Sequence, residues 1–110
     1  MAALILETVV TTSNPDGSVN CGAMGVEWGE ERIVIKPFRG TRTLRNLRAT
    51  GRAVVNLTDD ILLFSQAALG DPDPPHTGGV LEDACSWREV RVEAIDEDPQ
   101  RPRVTTAVVG

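Results

Sequence analysis

The sequence predicts a mainly β fold, a β-barrel of six antiparallel strands with short helices. Three observations carry this. Six segments are dense in β-branched and apolar residues. Turn-forming residues separate several of them at short spacing. At 110 residues the chain is the size of one domain, and six short strands in one domain close most readily into a barrel.

Residues 3–12 (ALILETVVTT) read as the first strand. Asn14, Pro15, Asp16 and Gly17 then make a tight turn. Residues 18–28 (SVNCGAMGVEW) return as a hairpin partner. Gly22 and Gly25 take side chains out of that strand, which marks a bulge or a close approach by another group. A third strand over 32–36 follows the turn at 29–31, and Pro37 ends it. Residues 41–49 (TRTLRNLRA) predict a helix, with Leu44 and Leu47 on one face, Thr41 or Thr43 as N-cap and Gly51 as the stop. Residues 52–58 are a fourth strand, and Asp59 caps a predicted helix over 60–69. Residues 70–80, with three prolines and three glycines, read as a loop or local linker. A long strand over 84–94 alternates Val90, Val92 and Ala94 with charged residues. An acidic turn at 96–99 leads to a sixth strand, 103–109.

Composition narrows the function. The chain is 41% hydrophobic and 25% charged, as ordinary globular proteins are. No window is apolar for long enough to span a bilayer, and the N-terminus lacks the basic start of a signal peptide. The expected location is the cytoplasm, where Cys21 and Cys85 stay reduced thiols. The net charge is −5, but residues 31–52 hold seven basic side chains against one acid. An acidic chain with a local basic island suits a small anion better than nucleic acid.

The island contains the sharpest local feature, Lys36-Pro37-Phe38-Arg39-Gly40-Thr41-Arg42-Thr43. It is the end of a strand, a glycine-containing loop and the start of a helix. A helix N-terminus presents unpaired N–H groups, so phosphate binds there readily. Arg39 and Arg42 add forked, charge-assisted donors, and Thr41 and Thr43 add hydroxyls. The competing reading is a solvated basic helix face with a threonine cap. Arg39, Arg42, Arg45 and Arg48 recur every three residues, but no aromatic residues interleave to stack bases. His76 is the single histidine, and neither a hydrolytic triad nor a metal-ligand spacing accompanies it. No residue stands out as a catalytic acid or base, and no metal is expected.

Several segments together resemble one family. They are Glu7–Thr12 (ETVVTT), Ala23–Val26 (AMGV), Pro37–Thr43 (PFRGTRT), Val55–Asp60 (VNLTDD) and Leu81–Cys85 (LEDAC). They are similar to the flavoredoxin-like, FMN-binding split-barrel family called domain of unknown function 447. The resemblance runs over nearly the whole chain and is most specific in PFRGTRT followed by VNLTDD. It implies a Greek-key barrel that binds FMN non-covalently at the interface of a homodimer. It implies a phosphate site at Arg39, Thr41, Arg42 and Thr43, where the loop-to-helix geometry already puts an anion. It implies that Ala23, Met24 and Gly25 wall the isoalloxazine ring, and that Asn56, Leu57 and Thr58 reach the ribityl chain or ring edge. Members of the family continue past the barrel in partly helical sequence, so a single domain shortened at its C-terminus is expected here. The implied activity is that of a flavin-dependent oxidoreductase or flavin reductase. The alternatives are a flavin carrier without catalysis, a cofactor-free structural dimer, and a barrel that binds a deazaflavin.

Overall fold

The computed structural model describes residues 4–58, 76–77, 79–81, 84, 86–98 and 100–110. The strands are β1 (Leu4–Ser13), β2 (Val19–Trp28), β3 (Arg32–Ile35), β4 (Arg52–Leu57), β5 (His76–Thr77), β6 (Val80–Leu81), β7 (Ser86–Asp96) and β8 (Arg103–Val108). The helix α1 spans Arg42–Thr50. Six strands close an antiparallel barrel in the order β1-β2-β3-β8-β7-β4, and β5 and β6 form a separate two-stranded sheet. The predicted helix over 60–69 and Cys85 lie outside the described residues.

Period-two alternation sorts each strand into an inner and an outer face. Inside lie Val10, Met24, Val26, Ile33, Ile35, Ala53, Val55, Val90 and Val104. β-branched residues dominate because they pack well on a pleated surface. Leu44 and Leu47 of α1 join the same core. The helix begins where Thr41 Oγ accepts from the Leu44 N–H, and it ends on Gly51 in the left-handed region at φ 68°. Its inner side meets β2 so closely that a Cβ on Gly22 would fall 2.7 Å from Thr43 Oγ. That accounts for Gly22: it makes room for a helix rather than for a bulge.

The outer face of β2, β1 and β4 is also buried in part. Val9, Cys21 and Leu81 form a second apolar cluster with Ala23 and Ala84 packed against it. Leu81 of β6 supplies this cover; of the stretch read as a loop or local linker, residues 70–75 and 78 lie outside the described residues, while 76–77 and 80 pair into the β5–β6 sheet. Its described end is fastened by two buried polar side chains. Thr11 Oγ donates to the Gly79 carbonyl at 2.5 Å, and the Leu81 N–H donates to Asn56 Oδ1 at 3.0 Å. Proline and glycine content registers turn formation but not what a turn is pinned to.

Candidate functional site

The loop between β3 and α1 carries most of the predicted anion site. Pro37 is buried and anchors it, while Phe38, Arg39 and Gly40 are exposed. Gly40 sits at φ 73° with nothing within 4 Å of the place a Cβ would occupy. Thr41 closes the loop: its hydroxyl donates to the Phe38 carbonyl at 2.8 Å and caps Leu44. The first-turn N–H groups of Arg42 and Thr43 have no partner within a helix by construction. The Thr43 side chain itself is buried, and its Oγ accepts from Asn20 Nδ2 at 3.0 Å. Thr43 therefore offers backbone rather than hydroxyl to the loop.

The basic island is partly neutralised by the fold. Arg32 pairs with Glu93, and Lys36 pairs with Glu27 at 2.8 Å. Arg48 grips Glu97 with both Nε and Nη2. Among the described residues, Arg42 and Arg45 form no ion pair. Both are exposed on α1. The Lys36 hydrogen bond holds the Glu27 carboxyl below its usual value, and the charges of Arg103 and Lys36 act the same way. Arg48 does the same to Glu97, with a smaller contribution from Arg39.

The predicted ring wall divides between two faces. Cys21, Ala23 and Gly25 lie on the outer face of β2, whereas the Met24 side chain lies in the barrel core. Across the sheet, Ala23 faces Val9, Val9 faces Asn56, and Asn56 faces Trp87. Ala23 and Asn56 are thus two strands apart on one outer ladder. Ala23 packs against the Val9, Cys21 and Leu81 cluster, and a Cβ on Gly25 would stand 3.3 Å from Glu7 Oε1 and 3.7 Å from Ile5 Cγ2. Lys36, one step beyond the Val26–Ile35 pair, falls alongside Gly25. Gly25 therefore lies beside the strand end that leads into the loop.

Asn56 is fully buried, and its amide is engaged within the protein. Nδ2 donates to the Val9 carbonyl at 3.0 Å, and Oδ1 takes the Leu81 N–H. Leu57 and Thr58 at the end of β4 are half-buried. The fold thus keeps Arg39, Thr41 and Arg42 on one loop and helix start, leaves Ala23 and Gly25 on the outer face of β2, and buries the side chains of Met24 and Thr43, and that of Asn56 on the outer face of β4.

Sequence reasoning read an acidic turn at 96–99 but missed what the connection between β7 and β8 holds. Arg101 donates to the Lys36 carbonyl, and its guanidinium lies 3.9 Å from the centre of the Phe38 ring. A cavity of about 340 Å³ lies between this connection and the loop, lined by Arg39, Gly40, Arg48, Glu97 and Asp98 among others. The only local signal was an arginine between two prolines after an acidic turn. A second hollow, of about 320 Å³, lies on the outer wall between Thr11, Val19, Val54 and Gly79. Among the described residues, no three His, Cys, Asp or Glu side chains gather to hold a metal ion. No described helix is long and apolar enough to cross a membrane.

Solved structures share this fold. An FMN-binding protein from Thermus thermophilus superposes with a TM-score of 0.79 at 16% identity, over 96% of this chain and 69% of its own. An FMN-bound DUF447 protein from Methanosarcina mazei gives 0.78 at 21% identity, over 98% of this chain and 59% of its own. The styrene monooxygenase flavin reductase of Pseudomonas putida S12 gives 0.74 at 19% identity, over 98% and 78%. The architecture is that of the FMN-binding split barrels. The model of one sequence family, described as protein of unknown function (DUF447) N-terminal domain, matches residues 6–110. Barrel, loop and sequence agree, and the chain belongs to the DUF447 N-terminal domain family.

Proposed function

We propose that this domain binds FMN non-covalently, with the phosphate at the β3–α1 loop and the ring along the outer face of β2. The observation that carries this is the loop itself. It joins an open, positive-φ Gly40, two exposed arginines and the capped N-terminus of α1. The residues fit the group. The phosphate would meet Arg39, Arg42 and the first-turn N–H groups. A flat ring needs small side chains along the strand it lies on, and Ala23 and Gly25 are the small residues on the outer face of β2. Leu57 and Thr58 stand at the end of β4 for the ribityl chain or ring edge, with Asn56 behind them holding the wall.

Bound flavin would supply the redox chemistry, and the protein would supply binding, orientation and electrostatics. A flavin reductase or related oxidoreductase is the activity we assign, in a homodimer with the ring at the interface. The dimer reading is supported by apolar side chains left open on the barrel: Leu4 and Ile5 of β1 are 58% and 55% exposed. Such patches suit a self-complementary two-fold contact.

The first test is the visible absorption of the protein purified without added flavin. FMN bands support the proposal, the band position separates FMN from a deazaflavin, and a colourless protein that fails to take up FMN overturns it. Nicotinamide oxidation by the loaded protein distinguishes a reductase from a carrier. The phosphate placement has its own test. Arg39→Ala or Arg42→Ala should weaken FMN binding by about 1.5–3 kcal/mol, the scale of a hydrogen bond between charged groups, while riboflavin changes little. Equal losses for both ligands would put the phosphate elsewhere.

A further inference from the structure

We propose that Arg101, which belongs to no strand or helix, is a positioning residue that holds the candidate phosphate loop in its binding shape. The proposal rests on the FMN reading above. It adds a residue from the far end of the chain, outside the motifs that suggested that reading.

The loop has to hold one shape to be useful. Its centre is Gly40, which sits at φ 73° with open space where a Cβ would stand. An anion site on such a loop loses affinity to every other arrangement the loop samples. Thr41 fastens the C-terminal side of Gly40 by its bond to the Phe38 carbonyl. The N-terminal side is fastened by Arg101. Its Nε and Nη2 donate to the Lys36 carbonyl at 2.9 and 2.7 Å. The flat face of the same guanidinium covers Phe38 at 3.9 Å. Arg101 thereby grips the residues on both sides of the buried Pro37, just ahead of Arg39 and Gly40.

The grip is itself anchored. Asp98 Oδ1 accepts from the backbone N–H groups of Gln100 and Arg101 at 2.8 and 3.1 Å. One residue earlier, Glu97 is held by Arg48 of α1. The β7–β8 connection is therefore tied to the helix through Glu97 and to the loop through Arg101. Only a planar, forked cation can donate twice to one oxygen and stack on a ring at once. Lysine offers a point charge with no plane. Arg101 is half-buried, and two of its nitrogens are turned to Lys36, so its effect on a phosphate passes through the loop.

The experiment compares FMN with riboflavin, each titrated by flavin fluorescence against the full chain and three variants. Loss of the clamp should act on the phosphate end alone. Arg101→Ala should raise the FMN Kd about tenfold, as loss of hydrogen bonds from a charged group does, and move riboflavin by less than about twofold. Arg101→Lys should fall in between. Phe38→Ala removes no charge, yet should lower the FMN preference several-fold because the stacked side of the clamp is gone. That variant and Arg101→Lys carry the test if Arg101→Ala does not fold. The proposal is overturned if Arg101→Ala keeps the parental FMN-to-riboflavin ratio, or weakens both ligands alike. It is also overturned if Phe38→Ala keeps that ratio while Arg101→Ala loses it, since Arg101 would then act as a direct charge. Equal binding of FMN and riboflavin by the parent protein would instead remove the phosphate reading, and this proposal with it.

Discussion

Asn56 shows most clearly what a single side chain does here. It sits on the outer face of β4, where an amide would ordinarily meet water. The β5–β6 hairpin covers it, and its two ends take the Val9 carbonyl and the Leu81 N–H. One residue thus joins the barrel wall to the cover. Replacing it with alanine leaves a buried donor and a buried acceptor without partners, each worth about 1–3 kcal/mol. Asn56→Ala should lower the unfolding free energy by about 2–4 kcal/mol in a urea titration. A loss under about 0.5 kcal/mol would mean that the hairpin is not held by this amide. The sequence marked Asn56 as noteworthy through the VNLTDD stretch, but not for this reason. Its partners are 47 and 25 residues away, and no local pattern encodes them.

At the scale of elements, the parts that local chemistry decides were legible. Thr41 caps α1, Gly51 ends it, and Asn14 to Gly17 turns β1 into β2, all as the residue types require. The parts decided by contact between elements were not. The basic island looked like seven available charges, yet Arg32, Lys36 and Arg48 each meet an acid from a distant strand or turn. Two neighbouring carboxyls of the β7–β8 connection feel their surroundings. Hydrogen bonds hold the carboxyls of Glu97 and Asp98 below their usual values, from Arg48 to the first and from the Gln100 and Arg101 amides to the second. A group depressed in the folded state adds stability that is whole above the ordinary carboxylate range. That stability is lost as the pH falls through the lower folded values. The melting temperature should therefore be level near neutrality and fall in acid. The fall should be shallower when Glu97→Gln and Asp98→Asn are combined, and an unchanged acid limb would show that the β7–β8 connection contributes nothing to it. Both groups are exposed, so the effect is small.

For the whole molecule, the six barrel strands and their antiparallel sense followed from the alternation of β-branched and polar residues, while the small β5–β6 sheet did not. The circular order did not. Nothing near Arg32 or Arg103 in sequence says that β8 lies between β3 and β7, because that placement is settled by pairing across the length of the chain. Assembly is the next level up. A chain this small buries a modest share of its surface, and Leu4, Ile5, Phe38 and Trp87 remain well exposed. Light scattering at micromolar concentration should report a dimer. A stable monomer would contradict both the dimer and a flavin site shared between two copies.

The position of β8 also bears on how the chain reaches this shape as it leaves the ribosome. Ile33 must find Thr106, and Val90 must find Val108, before the ring is whole. Until residues 103–108 have emerged, β3 and β7 are bare edges with unmet N–H and C=O groups, which recruit strands from other chains. Early hairpins such as β1–β2 can form at once, but closure waits for pairings of long sequence separation, which are slow. A chain stopped after Arg101 should therefore collect in insoluble material. The same chain supplied with a peptide spanning 102–110 should regain a cooperative melting transition, and recovery of that transition without the peptide would show that the other five barrel strands close by themselves.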